Sequence, residues 1–195
     1  MQPEYVLWNT FRPPYVCSLG NLDGVEKVFE LKDGVPRAAG FSEHARFQMS
    51  TIYPYDIRLA DCLKNTDRLI VASEALKEFL ESHALDHVEY LPVTILNHKE
   101  RVASREYYII HLISPVDCLD VPKCGATRSS LVPEDILDLN ELVLDPSRID
   151  PDRRIFRLKY YERPVLARRD LAAALESRGF SGLSFAELTE YPKYK

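Results

Sequence analysis

Two runs rich in β-branched and aromatic residues, 88–96 and 107–113, constrain this chain most. Side chains of that shape fit a pleated, half-buried sheet better than a helix. The polar Asn97-His98-Lys99-Glu100 lies near the turn that joins them. The pair therefore predicts two strands and a hairpin tip. Pro92 has no N–H for a ladder, which places it at a bulge or at a sheet edge.

Just upstream, Leu69-Ile70-Val71-Ala72 reads as a buried strand. Ser73 stands in the N-cap position of a following helix, where its hydroxyl can accept from a free backbone N–H. Leu76, Phe79, Leu80 and His83 fall at i, i+3, i+4 and i+7 and share one helical face. Elsewhere the spacing predicts strands at 5–8 and 27–31, a helical turn within 40–47 and a short helix over 56–64. It also predicts a short helix in 133–145 followed by a strand at 142–144. Residues 155–159 alternate apolar with basic, as in a half-exposed strand. A strand at 164–167 leads to Asp170 as N-cap, a helix to Arg178, and Gly179 as its stop. A shift of 95 residues aligns Arg68 with Arg163, Ala72 with Ala167, Leu76 with Leu171 and Leu80 with Leu175. Either two unrelated units share apolar spacing, or the chain repeats a strand-helix-strand unit.

The first 147 residues carry fourteen Lys/Arg against twenty-three Asp/Glu, and residues 148–195 carry eleven against seven. An acidic body discourages nucleic acid and anionic membranes through its net field. The basic end is diluted by Asp150, Asp152, Glu162 and Asp170. No apolar run approaches the roughly 20 residues that span a bilayer. The start, Met1-Gln2-Pro3-Glu4-Tyr5, lacks the basic and apolar regions of a secretory leader, so the expected compartment is the cytoplasm. The scattered Cys17, Cys62, Cys118 and Cys124 are expected to be small buried apolar side chains.

Motifs that carry chemistry are scarce. There is no Gly-x-Ser-x-Gly elbow, phosphate loop or dinucleotide fingerprint, and only seven glycines to build such loops. His83 and His87 are four apart, but no Glu stands between them and His87 lies beyond the expected helix end, so no metal is assigned. His98 and Lys99 near the hairpin tip serve either as partner contacts or as a solvated turn, with Asn97 chosen for its tolerance of positive φ. Glu134, Asp135, Asp138, Glu141 and Asp145 have no basic residue among them. On a helix 134, 138 and 141 would form a negative stripe, either a plain solvated face or a docking surface for a basic protein.

The segments 91–99, 107–110 and 116–120 resemble the myxobacterial-type immunity protein family of bacterial polymorphic toxin systems. The similarity extends to 69–82, 155–158, 170–172 and 182–185, about residues 40–190 in all. Where the family leads one to expect Gly after Asn-His-Lys, this chain has Glu100. The resemblance implies a protein that binds a toxin or secreted effector made by a neighbouring gene. It carries over no catalytic residue.

The expected architecture is α+β, with a mixed or mainly antiparallel sheet and a few short packing helices. Residues 1–195 are expected to form a single compact domain, with 1–66 as a candidate smaller N-terminal lobe. No cofactor is expected, and self-association is left open. The leading expectation is a non-enzymatic immunity or inhibitor protein with Glu134, Asp135, Asp138, Glu141, His98 and Lys99 as candidate contacts. The alternative is a small-molecule binder or enzyme with a Tyr-rich pocket.

Overall fold

The computed structural model of the chain describes residues 4–194. Met1 to Pro3, part of the start read above for a leader, lie outside the described residues. Along the chain run β1 (Tyr5–Thr10), β2 (Leu19–Asp23), β3 (Arg46–Met49), β4 (Cys62–Leu63), β5 (Ile70–Ser73) and α1 (Glu74–Ser82). Then come β6 (Val88–Leu96), β7 (Val102–Leu112), α2 (Val121–Cys124), β8 (Thr127–Arg128) and β9 (Ile136–Asp138). The last elements are β10 (Ile155–Leu158), β11 (Tyr161–Arg168), α3 (Arg169–Arg178) and β12 (Leu183–Ala186). The fold is α+β with mainly antiparallel sheets, as expected; β3 against β6 is a parallel pair.

Two compact units are distinguishable. One comprises Thr10–Ile113 with Gly179–Leu183. Its six-stranded sheet has the order β2-β3-β6-β7-β5-β4. The expected hairpin is its centre: β6 pairs antiparallel with β7 from Val88↔Leu112 to Leu96↔Val102. Leu91, Val93, Ile95, Tyr107 and Ile109 point into a core with Phe47, Met49, Leu31 and Val71. Pro92 pairs with Tyr108 in continuous register. Pairing of β3 with β6 begins only at Thr94, so the missing N–H of Pro92 falls at a local edge.

Among the described residues, the second unit contains 4–9, Ser114–Arg178 and 184–194. Its core gathers Tyr5, Leu7, Cys118, Cys124, Leu139, Phe156, Leu166 and Tyr191. The sheet order is β10-β11-β1-β12.

The 95-residue echo is present in three dimensions as well as in spacing. Shifted by 95, the residues of β5 fall on the end of β11, Glu74 falls on Arg169 at the start of α3, and Val88 falls on Leu183 at the start of β12. Each helix crosses over an inserted strand, β7 in one sheet and β1 in the other. Tyr107 stands opposite Ser73 and Tyr5 opposite Arg168. Each tyrosine donates to a carbonyl just before the next edge strand, Ala60 at 2.7 Å and Arg153 at 3.0 Å. Burial pushes both phenols up, Tyr5 to about 12.

Several local expectations need correction. Residues 27–31 form a 3-10 turn, not a strand, because Lys27 takes a left-handed backbone and the chain curls on itself. The 56–64 segment is not helical: Arg58 bridges Val16 and Cys62–Leu63 pair with β5. Within 40–47 there is only a turn before β3. The helix expected in 133–145 does not form, and neither does a strand at 142–144 beyond the bridge of Leu144 to Leu119. Buried Ile136, Leu139 and Leu142 have a helical interval of three. However, the backbone amides of Asn140, Glu141 and Asp145 bond outward to Cys124 and Cys118, so this segment lies against the α2 region. The β10 strand is not half-exposed: Arg157 is buried with its neighbours and donates to the Glu162 carbonyl at 2.7 Å. Asp170 sits within the first turn of α3 instead of capping it, and accepts from Arg154 at 3.1 Å and Arg168 at 2.7 Å. Ser73 does cap α1, accepting from Leu76 at 3.3 Å. Gly179, at φ 70, follows α3.

The β6–β7 turn has a different basis from the one read in the sequence. Asn97 is not in the left-handed region; its side-chain oxygen accepts from the amides of Lys99 at 2.9 Å and Arg101 at 3.1 Å. The left-handed residue is Glu100, at φ 59, the position where Gly was expected. A non-glycine residue there carries a steric cost of about 1–2 kcal/mol, partly offset by the greater chain entropy glycine would bring to the unfolded state. Glu100→Gly is therefore expected to stabilise the chain by about 0.5–1 kcal/mol, read as a higher urea midpoint at unchanged slope.

Candidate partner-binding surface

Residues 11–17 and 50–59 are tied together by backbone and side-chain contacts. The Arg58 amide donates to the Tyr15 carbonyl at 3.2 Å, and the Cys17 amide donates to the Arg58 carbonyl at 3.0 Å. Arg12 forms an ion pair with Asp56 and lies 3.9 Å from the centre of the Tyr53 ring. Pro54 interrupts the second segment, which belongs to no strand or helix.

This scaffold holds apolar groups in solvent. Tyr55 is 92% exposed, Ile52 77%, Tyr15 70% and Ile57 62%, with Tyr53 at 42% beside them. Tyr15 also has a left-handed backbone, φ 64, an unusual state for a bulky aromatic residue. Tyrosine presents a large apolar ring and a polar tip, the combination enriched where proteins meet. The exposed segment runs on through Leu59 into a cleft of about 430 Å³ lined by Asp61, Ser73, Glu74, Glu78, Ser104, Glu106 and Tyr107. Its charged lining groups are all carboxylates.

Asp61 is the fixed member of that cleft. It accepts from the Ser181 amide at 2.9 Å, the Ser181 hydroxyl at 2.7 Å and the Ser73 hydroxyl at 3.0 Å. Burial raises the carboxyl pKa, but the Ser181 and Ser73 donors outweigh it and hold the group below the ordinary carboxylate range. The adjoining Gly182 is at φ 83, and a Cβ there would stand 2.0 Å from the Cys62 carbonyl oxygen, so only glycine allows this close approach.

The acidic residues singled out in the sequence do not form a helical stripe. Glu134 and Asp135 are exposed on the β8–β9 connection, Asp138 ends β9 half-buried, and Glu141 is exposed beyond it. The stripe required a helix, so that geometry is lost. Glu134 instead lines a cleft of about 230 Å³ with Asp117, Arg128, Arg148 and Lys159, a mixed set of charges. At the hairpin tip Lys99 is exposed, whereas both ring nitrogens of His98 are buried and without a hydrogen-bond partner. His83 closes α1 with Nδ1 2.8 Å from the Phe79 carbonyl, and His87 lies past the helix end. All four cysteines are buried, and desolvation raises the thiols of Cys17, Cys118 and Cys124, to about 11 and 12 for the first two.

The aromatic surface was missed in the sequence. Its signal was available in 52–59, where apolar residues at 53, 55, 57 and 59 surround Pro54 and Asp56. That alternation suits a strand, but proline and the Arg12 contacts prevent regular pairing and leave both sides of the run open.

Fold and surface together describe an α+β protein with an exposed, tyrosine-rich face. Its sequence matches the Immunity protein family (Imm11) over residues 21–190, and the chain belongs to that family. The resemblance read from the sequence is thus met. Membership supports a toxin-neutralising immunity role in general terms. A comparison with curated proteins gave no match. No helix among the described residues is long and apolar enough to cross a membrane.

Asp61→Asn removes the charge that the Ser181 and Ser73 donors satisfy, with an expected loss of about 1–3 kcal/mol at pH 7. A depressed carboxyl pKa contributes stability above the unfolded value of about 3.9 and loses it as pH falls through the folded value. The stability gap between wild type and variant should consequently narrow in denaturant titrations below about pH 4.

Proposed function

We propose that this chain is a cytoplasmic immunity protein that binds and neutralises a cognate toxin or secreted effector made by a neighbouring gene. It acts by occupancy, not by turnover. A secreted protease is one effector class that such a binder would silence by covering the substrate cleft. The family match over residues 21–190 carries this reading. Its affinity would come from a few desolvated aromatic anchors inside a polar rim. The exposed Glu134, Asp135 and Glu141, with Asp138 beside them and Lys99 on the hairpin tip, supply charge that steers association more than it anchors.

Co-expression with the neighbouring effector gene should yield a stoichiometric complex on gel filtration and restore growth to cells that the effector alone arrests. Growth arrest that persists despite soluble immunity protein would sink the reading. Charge reversal at Asp135, Asp138 and Glu141 should slow association with that effector several-fold at low salt and little at high salt, as stopped-flow mixing would show. Unchanged rates would remove these acids from the account.

A further inference from the structure

The aromatic segment and the acidic cleft are consecutive in the chain. Ile57 and Leu59 are two residues apart, within about 7 Å, and Leu59 belongs to both features. An apolar face rimmed by like charges requires a partner whose own apolar face is rimmed by the opposite charge. Here the cleft side carries Glu74 and Glu78 on α1 and Glu106 on β7 with no basic side chain in its lining, and the exposed Arg58 between Ile57 and Leu59 is outnumbered by these carboxylates. Glu74 is further favoured by its place in the first turn of α1, where the helix dipole stabilises a carboxylate.

The same chemistry discriminates among occupants. A second copy docking symmetrically would bring a second Asp61, Glu74, Glu78 and Glu106 against only one more Arg58, and that excess of like charge opposes assembly. Anionic lipid and nucleic acid are repelled by the cleft for the same reason. A protein surface with an apolar patch bordered by lysine or arginine is the occupant that satisfies both halves.

We propose that Tyr15, Ile52, Tyr55 and Ile57 form the anchor of this chain's partner-binding face, with Glu74, Glu78 and Glu106 receiving basic side chains of the partner effector. This deepens the immunity reading and rests on it. Tyr15 is central because its left-handed backbone, held by the Arg58 amide, fixes an exposed ring beside the 52–57 run. Preorganised rings lose little side-chain entropy when covered. The carboxylates contribute orientation and rate, and the rings contribute lifetime.

The test uses the full chain and the purified product of the neighbouring effector gene, with binding followed by biolayer interferometry across a salt series. The substitutions Tyr55→Ala and Ile57→Ser together should raise Kd by about thirtyfold or more, mostly through faster dissociation. Glu78→Lys with Glu106→Lys should slow association about tenfold at low salt and flatten its salt dependence. Leu131→Ser, at a 92% exposed leucine of the other unit, is the control and should stay within about threefold of wild type. Circular dichroism and thermal melts confirm that each variant is folded, which the exposure of Tyr55 and Ile57 makes the expected result. Wild type, the anchor double variant and the carboxylate double variant binding equally well would overturn the proposed face while leaving the immunity reading intact. Wild type that fails to bind its neighbouring effector overturns the reading, and the face with it. A concentration-dependent dimer that Tyr55→Ala abolishes would assign the face to a second copy and also overturn the proposal.

Discussion

The pairing of β7 on both of its edges is the constraint on which the Thr10–Ile113 unit depends. β6 pairs with it from Val102 to Leu112 and β5 pairs with it over Tyr107–Ile110, so its backbone groups are committed on both edges over that stretch. Alternation then commits its side chains: Tyr107 and Ile109 face the apolar core, while Tyr108 and Ile110 face α1, where Lys77 stands 5.1 Å from the Tyr108 ring. With both faces and both edges occupied over Tyr107–Ile110, that stretch of β7 has nothing to offer a partner, while Glu106 just before it stays exposed. Contact chemistry is displaced to the borders of the sheet, to the hairpin tip and to the irregular segments.

Residues 11–17 and 50–59 are the border where that displacement is largest. Leaving several large apolar side chains in water forgoes the burial energy they could contribute, about 1.5–3 kcal/mol for each large apolar side chain. The segments nevertheless hold their shape through the Arg12–Asp56 pair, the Tyr53 ring under the guanidinium and the two backbone bonds to Arg58. Isolated exposed apolar residues are ordinary, but a preorganised group of them marks a surface meant to be covered. Asp61 and Gly182 secure the inner side of the same border.

Legibility in the sequence followed the strength of local periodicity. The 88–96 and 107–113 runs, Ser73 as a cap and the stop at Gly179 were all readable, because each rests on one short-range interaction. The segments 27–31, 56–64 and 133–145 were misread where the backbone found partners far along the chain: Arg58 on Val16, Cys62 on Ala72, Asn140 on Cys124. Helical spacing of Ile136, Leu139 and Leu142 reported burial correctly and secondary structure wrongly. The contact face was less legible still: the alternation at 53, 55, 57 and 59 marks apolar residues, but the exposure of Tyr55 or Ile57 depends on what fails to pack over them. His98 illustrates the same limit: a polar hairpin tip reads as solvated, yet both of its ring nitrogens are buried.

The repeated strand-helix-strand unit shows that the acidic cleft is not imposed by the framework. Shifted by 95 residues, Glu74 falls on Arg169 and Glu78 on Ala173, on a helix of nearly the same length. Arg169 is held by Glu4 at 2.7 Å and Glu187 at 2.8 Å, which satisfies its charge within its own unit. The carboxylates at the start of α1 have no such basic neighbour in the cleft lining. Two units with one crossover geometry thus present opposite electrostatics at the same helix start. In one the charge is consumed internally. In the other it is left facing solvent beside exposed tyrosines, where its remaining use is to meet charge carried by another protein.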